Sequence, residues 1–224
     1  MRENFHADLD QLGQLLAEMC QAVGTAMRDA TAALLDVDLS LAERVIGADT
    51  AIDDARTDAE AHAYALLALQ APVATDLRVV LAGIRVAESL ERMGDLARHI
   101  AQTARRRHPD PAVPEPLRAT FASMGEIAAQ MACVAEQAIR NRDLTLARSL
   151  HESDDKIDAL HQSLFTATMG KDWTHGVMAA VDVTLLGRFY ERYADHAVSI
   201  ARRMAFVPTG TLWASTGSDS AART

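Results

Sequence analysis

The sequence predicts an all-α protein built as two tandem three-helix bundles, and three observations carry that expectation. The segment Glu91-Arg92-Met93-Gly94-Asp95 returns one hundred residues later as Glu191-Arg192-Tyr193-Ala194-Asp195, and the echo continues through Ala97 and Ala197, Ile100 and Ile200, Ala101 and Ala201. Self-similarity of this kind marks an internal repeat. The chain is 49% hydrophobic but only 4% aromatic, with few Gly and Pro among its 224 residues, which suits Ala/Leu-rich helices better than sheet. Four of the six prolines are gathered between His108 and Pro116, where no helix can continue.

Each element follows from local pattern. Leu9, Leu12, Leu15/Leu16, Met19, Val23, Met27 and Leu34 recur at helical spacing, so the first helix runs from Phe5 to about Leu35. After the break Asp36-Val37-Asp38, Ser40 with Glu43 three residues on reads as a capping box opening a second helix to about Leu69. Gln70-Ala71-Pro72 closes it, because proline disfavours helical geometry in the preceding residue and suits the first turn of a new helix. The third helix spans roughly Val73 to Arg106, with Leu77, Leu81 and Ile84 expected to face inward.

The second half replays the first. Met124 answers Met19, Asp143-Leu144-Thr145-Leu146-Ala147 answers Asp38-Leu39-Ser40-Leu41-Ala42, and Ile157-Asp158 answers Ile52-Asp53, all at an offset of 105. By Glu191 the offset is 100, which places a five-residue deletion in the loop near Met169 to His175. The expected organisation is a first bundle over 1–107, a Pro-rich linker over 108–116, a second bundle over 117–206 and a disordered tail over 207–224 containing Trp213.

Composition bounds function. A formal net charge of -9 argues against a nucleic-acid binder, which needs a basic face to displace counterions. Cys20 and Cys133 stand alone, without zinc or redox spacing, and read as reduced core residues. The N-terminal residues have no apolar signal core, and the longest apolar run, Ala63 to Leu69, is far short of a membrane span, so a soluble cytoplasmic protein is expected. No Ser/His/Asp or Cys/His arrangement, Gly-rich phosphate loop or HExxH is present, and the chain is not expected to be an enzyme.

The acids form the candidate site. Glu91 and Asp95 lie about 40° apart on the helical wheel and about 6 Å apart along the axis, close enough to reach one ion. Asp49 and Asp53 make the same acid-x-x-x-acid pair on the preceding helix, and Asp154/Asp158 and Glu191/Asp195 repeat both. With a turn near residue 71, the 49/53 pair lies about 20 residues before it and the 91/95 pair about 22 after, so antiparallel packing brings them level within a turn. The second half behaves alike within one to two turns. Each half then gathers four carboxylates from two helices, a donor set for hard cations such as Mg²⁺, Mn²⁺, Ca²⁺ or iron. The competing account is a solvated acidic face neutralised by Arg92, Arg192, Arg98 or His99. His161, three residues after Asp158, faintly resembles the Glu-x-x-His of di-iron bundles, but its first-half counterpart is Arg56. His99 and His196 sit near the acids as exposed helix residues or second-sphere donors.

Pro72-Val73-Ala74-Thr75-Asp76-Leu77-Arg78, Leu90 to Ala97 and Tyr190 to Ala197 resemble the PhoU family of bacterial phosphate-transport accessory proteins, and the resemblance extends over about residues 1 to 207. It implies two three-helix bundles related by a pseudo-twofold repeat and no catalytic activity. It also implies negative regulation of the phosphate-starvation response, coupling the phosphate ABC transporter, through its ATPase subunit, to a sensor histidine kinase. Members are often dimeric and peripheral at the inner face of the membrane through their partners. Some bind multinuclear metal clusters, of iron or of Mg, Mn or Zn, on motifs that match Asp49/Asp53, Glu91/Asp95, Asp154/Asp158 and Glu191/Asp195. Ala194 departs from the Gly at position 94, and the second hairpin differs in length from the first. Two alternatives stand beside this reading: a ferritin-like carboxylate oxidase, which would need Glu-x-x-His pairs on two helices, and a metal-free helical scaffold.

Overall fold

In the computed structural model, which describes residues 2–141 and 146–209, helical periodicity resolves into α1 (Arg2–Asp36), α2 (Leu39–Gln70), α3 (Ala74–Arg107), α4 (Arg118–Asn141), α5 (Leu146–Met169) and α6 (Gly176–Thr209), with a 3₁₀ turn at Glu115–Leu117. No strand occurs among the described residues. The protein is all-α, with six α-helices among the described residues arranged as two three-helix repeats.

Local chemistry sets the breaks. α1 ends where Val37 turns left-handed at φ 56° and the Asp38 N–H returns to the Ala33 carbonyl at 3.1 Å, satisfying an orphan acceptor of the last turn. The cap of α2 is Asp38 rather than the expected Ser40: its carboxylate accepts from the Leu41 N–H at 2.9 Å, while Ser40 lies inside the helix and accepts from Arg44. A carboxylate is the better acceptor at a helix N-terminus, where the dipole favours negative charge. The first hairpin turns through left-handed Ala71 and Pro72, and the second through residues 170–175.

The two repeats are fused side by side. α1 packs on α2, α3 and α4, and α3 packs on α6, so α1/α4 and α3/α6 form the central seam with α2 and α5 on the flanks. α3 and α6 are antiparallel: Arg78 donates to the Val207 carbonyl (3.0 Å) at one end, and Arg106 pairs with buried Asp182 (2.7 Å) at the other. α1 and α4 approach closely at Gly24, where an added Cβ would lie 3.2 Å from Ala132, and at Gly125, where it would lie 2.4 Å from Thr31. Thr31 also shares a buried 2.8 Å hydrogen bond with the Tyr190 hydroxyl, and the Tyr193 hydroxyl donates to the Val23 carbonyl at 3.1 Å. One continuous apolar core runs through both repeats.

Three expectations are corrected. Leu81 is 47% exposed, because the inward stripe of α3 runs instead through Val80, Val86, Leu90, Met93 and Ala97. Cys133 is exposed, although Cys20 is buried. α6 continues past residue 206 to Thr209, held by the burial of Val207 and the Arg78 bond to its carbonyl. The tail from 210, with Trp213, lies outside the described residues, as does Asp143 to Thr145.

Candidate functional site

Asp49 sits at a core position of α2, in register with Val45 and Ile52, and is only 5% exposed. It can approach α3 because the facing residue there is Gly94: a Cβ at that position would lie 3.0 Å from Ile52 and 3.5 Å from the Asp49 carboxylate. The two acid pairs of the first repeat are therefore level, and Asp49, Asp53, Glu91 and Asp95 share one electrostatic neighbourhood.

A guanidinium stands in that neighbourhood. Arg98, one turn along α3 from Gly94, pairs with Asp49 across the helix seam at 2.7 Å and with Asp95 on its own helix. Arg92 adds contacts to Asp95 (2.9 Å) and Glu91 (3.4 Å). Burial raises the Asp49 carboxyl above its usual range; the Arg98 charge opposes this, and Asp53 and Asp95 reinforce it. Glu91 is likewise raised by burial first, against Arg92 and Arg56. Glu88, one turn before Arg92, pairs with Arg85 at 3.0 Å.

The second repeat assembles its acids with different company. Asp154, Asp158, Glu191 and Asp195 again act on one another, with Asp155 beside them. Burial, then Asp158 and Asp195, push the Asp154 carboxyl up to about 6, with His151 opposing. Asp158 and Glu191 are also raised by burial, with Asp195 next in strength. Arg188 pairs with Glu191. The position answering Arg98 is Val198, buried in the core, and the position answering Arg56 is His161. So two of the first patch's cationic residues are absent from the second.

His161 lies against α6 where Gly187 leaves room, a Cβ there meeting its ring at 2.9 Å, and its Nε2 is buried without a hydrogen-bond partner. Burial lowers its pKa, with Arg188 in the same direction and Asp158 opposing. His99 packs on Phe189 with ring centroids 5.3 Å apart, and its Nδ1 is buried without a partner. His196 is half-buried between α6 and α3, near Arg192, Arg92 and Glu88. The histidines are thus less exposed than expected. Among the described residues, no group of three or more His, Cys, Asp or Glu side chains is placed so that it could hold a metal ion.

Chemically, the second patch is a half-buried, under-compensated group of oxygen donors, and the first is the same group with an internal cation. The oxygen donors of both are of the type that suits hard cations, and in the second repeat burial and mutual repulsion, partly offset by Arg188 on Glu191, raise the carboxyls. Spacing along α3 pairs Arg98 with Asp95, but its reach to Asp49 on α2 has no local signal. Arg188 was visible only as an i,i+3 neighbour of Glu191. Asp182, which anchors Arg106 and Arg107 across the seam, had no sequence signal.

Comparisons with known proteins agree with this architecture. The PhoU domain model matches residues 16–104 and 121–204, one match per repeat. The chain is 49% identical over 211 residues to the phosphate-specific transport system accessory protein PhoU homolog 1 of Mycobacterium leprae, covering 94% of this chain and 95% of that protein. It is also 49% identical over 210 residues to PhoU homolog 2 of Mycobacterium tuberculosis, covering 94% and 99%. The crystal structure of PhoU from Pseudomonas aeruginosa superposes with a TM-score of 0.84 at 27% identity, covering 92% of this chain and all of that one. With both repeats matched and nearly the whole chain aligned, the protein belongs to the PhoU family.

Proposed function

We propose that this chain is a regulatory accessory protein of phosphate uptake, which restrains the phosphate-starvation response when phosphate is plentiful. The observation that carries the reading is the alignment, over 94% of the chain, with relatives named as accessory proteins of the phosphate-specific transport system. In this reading it couples the ATPase subunit of the phosphate ABC transporter to the sensor histidine kinase of the response. It acts as a homodimer without catalysis of its own, from the cytoplasm at the inner face of the membrane. Contact with the membrane is indirect, through partners, since no helix among the described residues is long and apolar enough to cross one.

The acids supply hard-cation binding in this proposal. Asp154, Asp158, Glu191 and Asp195 would hold the first metal, because their mutual repulsion has the least internal compensation. Asp49, Asp53, Glu91 and Asp95 would hold metal more weakly, since an incoming ion competes with Arg98 for Asp49 and Asp95. A bound ion would stiffen the α5–α6 seam and present a less negative face to a partner.

Deletion of the gene tests the regulatory reading. Phosphate uptake and starvation-gene expression should rise in phosphate-rich medium, and unchanged expression would refute it. Elemental analysis of protein purified without chelator tests the metal reading: Glu191→Ala should lose more bound metal than Glu91→Ala, and metal-free wild-type protein would overturn it.

A further inference from the structure

The outer face of the α1–α2 hairpin carries a groove of about 670 Å³ that the acids do not explain. It runs along α1 from Leu15 to Asp29, a length of about 21 Å at helical rise, or roughly four turns. Its floor is unusually small-sided, with Ala22 and Ala26 from α1 and Ala48, Ala51 and Ala55 from α2.

The internal repeat shows what this groove lacks. At the offset of 105, Ala22, Ala26 and Ala55 are answered by Ile127, Met131 and Leu160. All three larger side chains pack against the core of the second repeat, Met131 at 1% exposure. At these three positions the second repeat therefore carries larger side chains than the first. The small side chains leave a solvent-facing trough whose alanine methyls a partner's apolar side chains would cover.

Charge narrows the occupant. Glu18 and Asp29 line the groove as its acids, the third, Asp49, being already paired with Arg98, and the one cation in the lining, Arg44, is engaged with Ser40. A second copy packed antiparallel on the same face would set Glu18 against Asp29 of its twin, and like charges across an interface are disfavoured. We propose that the α1–α2 groove is a docking site for a cationic amphipathic helix of a partner protein, its apolar edge on the alanine floor and its basic residues toward Glu18 and Asp29.

The test uses the full chain and a fluorescein-labelled helix of Leu and Lys at amphipathic spacing, beside a scrambled peptide of equal composition and a Leu/Glu version. Wild-type protein should bind the Leu/Lys helix in preference to both controls. The triple change Ala22→Ile, Ala26→Met, Ala55→Leu installs the second repeat's own side chains. It should weaken binding by about tenfold or more, with the circular dichroism spectrum and melting temperature preserved. Glu18→Lys with Asp29→Lys should shift preference to the Leu/Glu helix. Equal binding of the scrambled peptide, or undiminished binding by the filled variant, would overturn the proposal. So would sedimentation showing a wild-type dimer that the filled variant loses, because the occupant would then be a second copy.

Discussion

Arg98 of α3 pairs with Asp49 of α2 at 2.7 Å, across a seam that the missing Cβ of Gly94 allows to close. Asp49 is nearly buried, so the guanidinium neutralises a charge that would otherwise be stranded between helices. The repeat offers a built-in control, since Val198 occupies the corresponding place in the second half.

Replacing Arg98 by Val should make the first patch resemble the second. Without divalent cation the variant should lose about 1–3 kcal/mol, since removing one partner of a largely buried pair strands the other. With millimolar Mn²⁺ much of that loss should return, through binding to the released Asp49 and Asp95. Thermal denaturation with chelator and with metal, alongside calorimetric titration, measures both.

Asp154 predicts a pH dependence of metal-free stability. Its folded pKa, about 6, lies above the ordinary aspartate value of 3.8, so between those limits the native state holds more protons than the unfolded chain. Stability from this group is therefore fully present below about pH 3.8 and declines as pH rises through about 6. Asp154→Asn should melt higher than wild type at pH 7 and flatten the profile between about pH 4 and 6. Half-exposure and solvent screening keep the effect modest. Melting curves at several pH values in chelator decide it.

Gly94→Leu should separate α2 from α3. Its first added carbon already meets Ile52 at 3.0 Å, so the larger side chain must displace Ile52 or the helix. A loss of about 1–3 kcal/mol is expected from overpacking, read as a lower urea midpoint at unchanged slope. Ala194→Gly, at the matching position of the second repeat, should lose only about 1 kcal/mol of helix propensity.

Tyr190→Phe tests the seam between repeats. The Tyr190 hydroxyl meets Thr31 at 2.8 Å in a fully buried setting, but Thr31 keeps its bond to the Met27 carbonyl. Removal should cost about 1 kcal/mol. Both repeats should still unfold together, because the apolar core is shared. Coincident transitions by fluorescence and circular dichroism check the second point.

Legibility in the sequence divides by range. The duplicated Glu-Arg-x-x-Asp segment, the proline cluster and the helical periodicity are local signals, and they lead directly to six helices in two repeats. The level placement of Asp49 with Asp95 was also readable, because hairpin geometry converts residue counts into height. The inward face of α3 was misjudged at Leu81 because an apolar stripe at heptad spacing looks alike whether it meets the core or solvent. Asp38 and Ser40 are both good caps two residues apart, and only the backbone decides which one precedes the first helical turn.

The sequence by itself determined the all-helical class, the duplication and the four acid pairs, since each is written in residues close along the chain. Tertiary structure alone decided that the repeats fuse through α1/α4 and α3/α6, and that Arg98 enters one acid patch while Val198 leaves the other without that charge. It also decided that an alanine-floored groove opens along α1 and α2. These depend on which side chains meet across helices distant in sequence, and such contacts follow from packing and partner charge rather than from any local pattern.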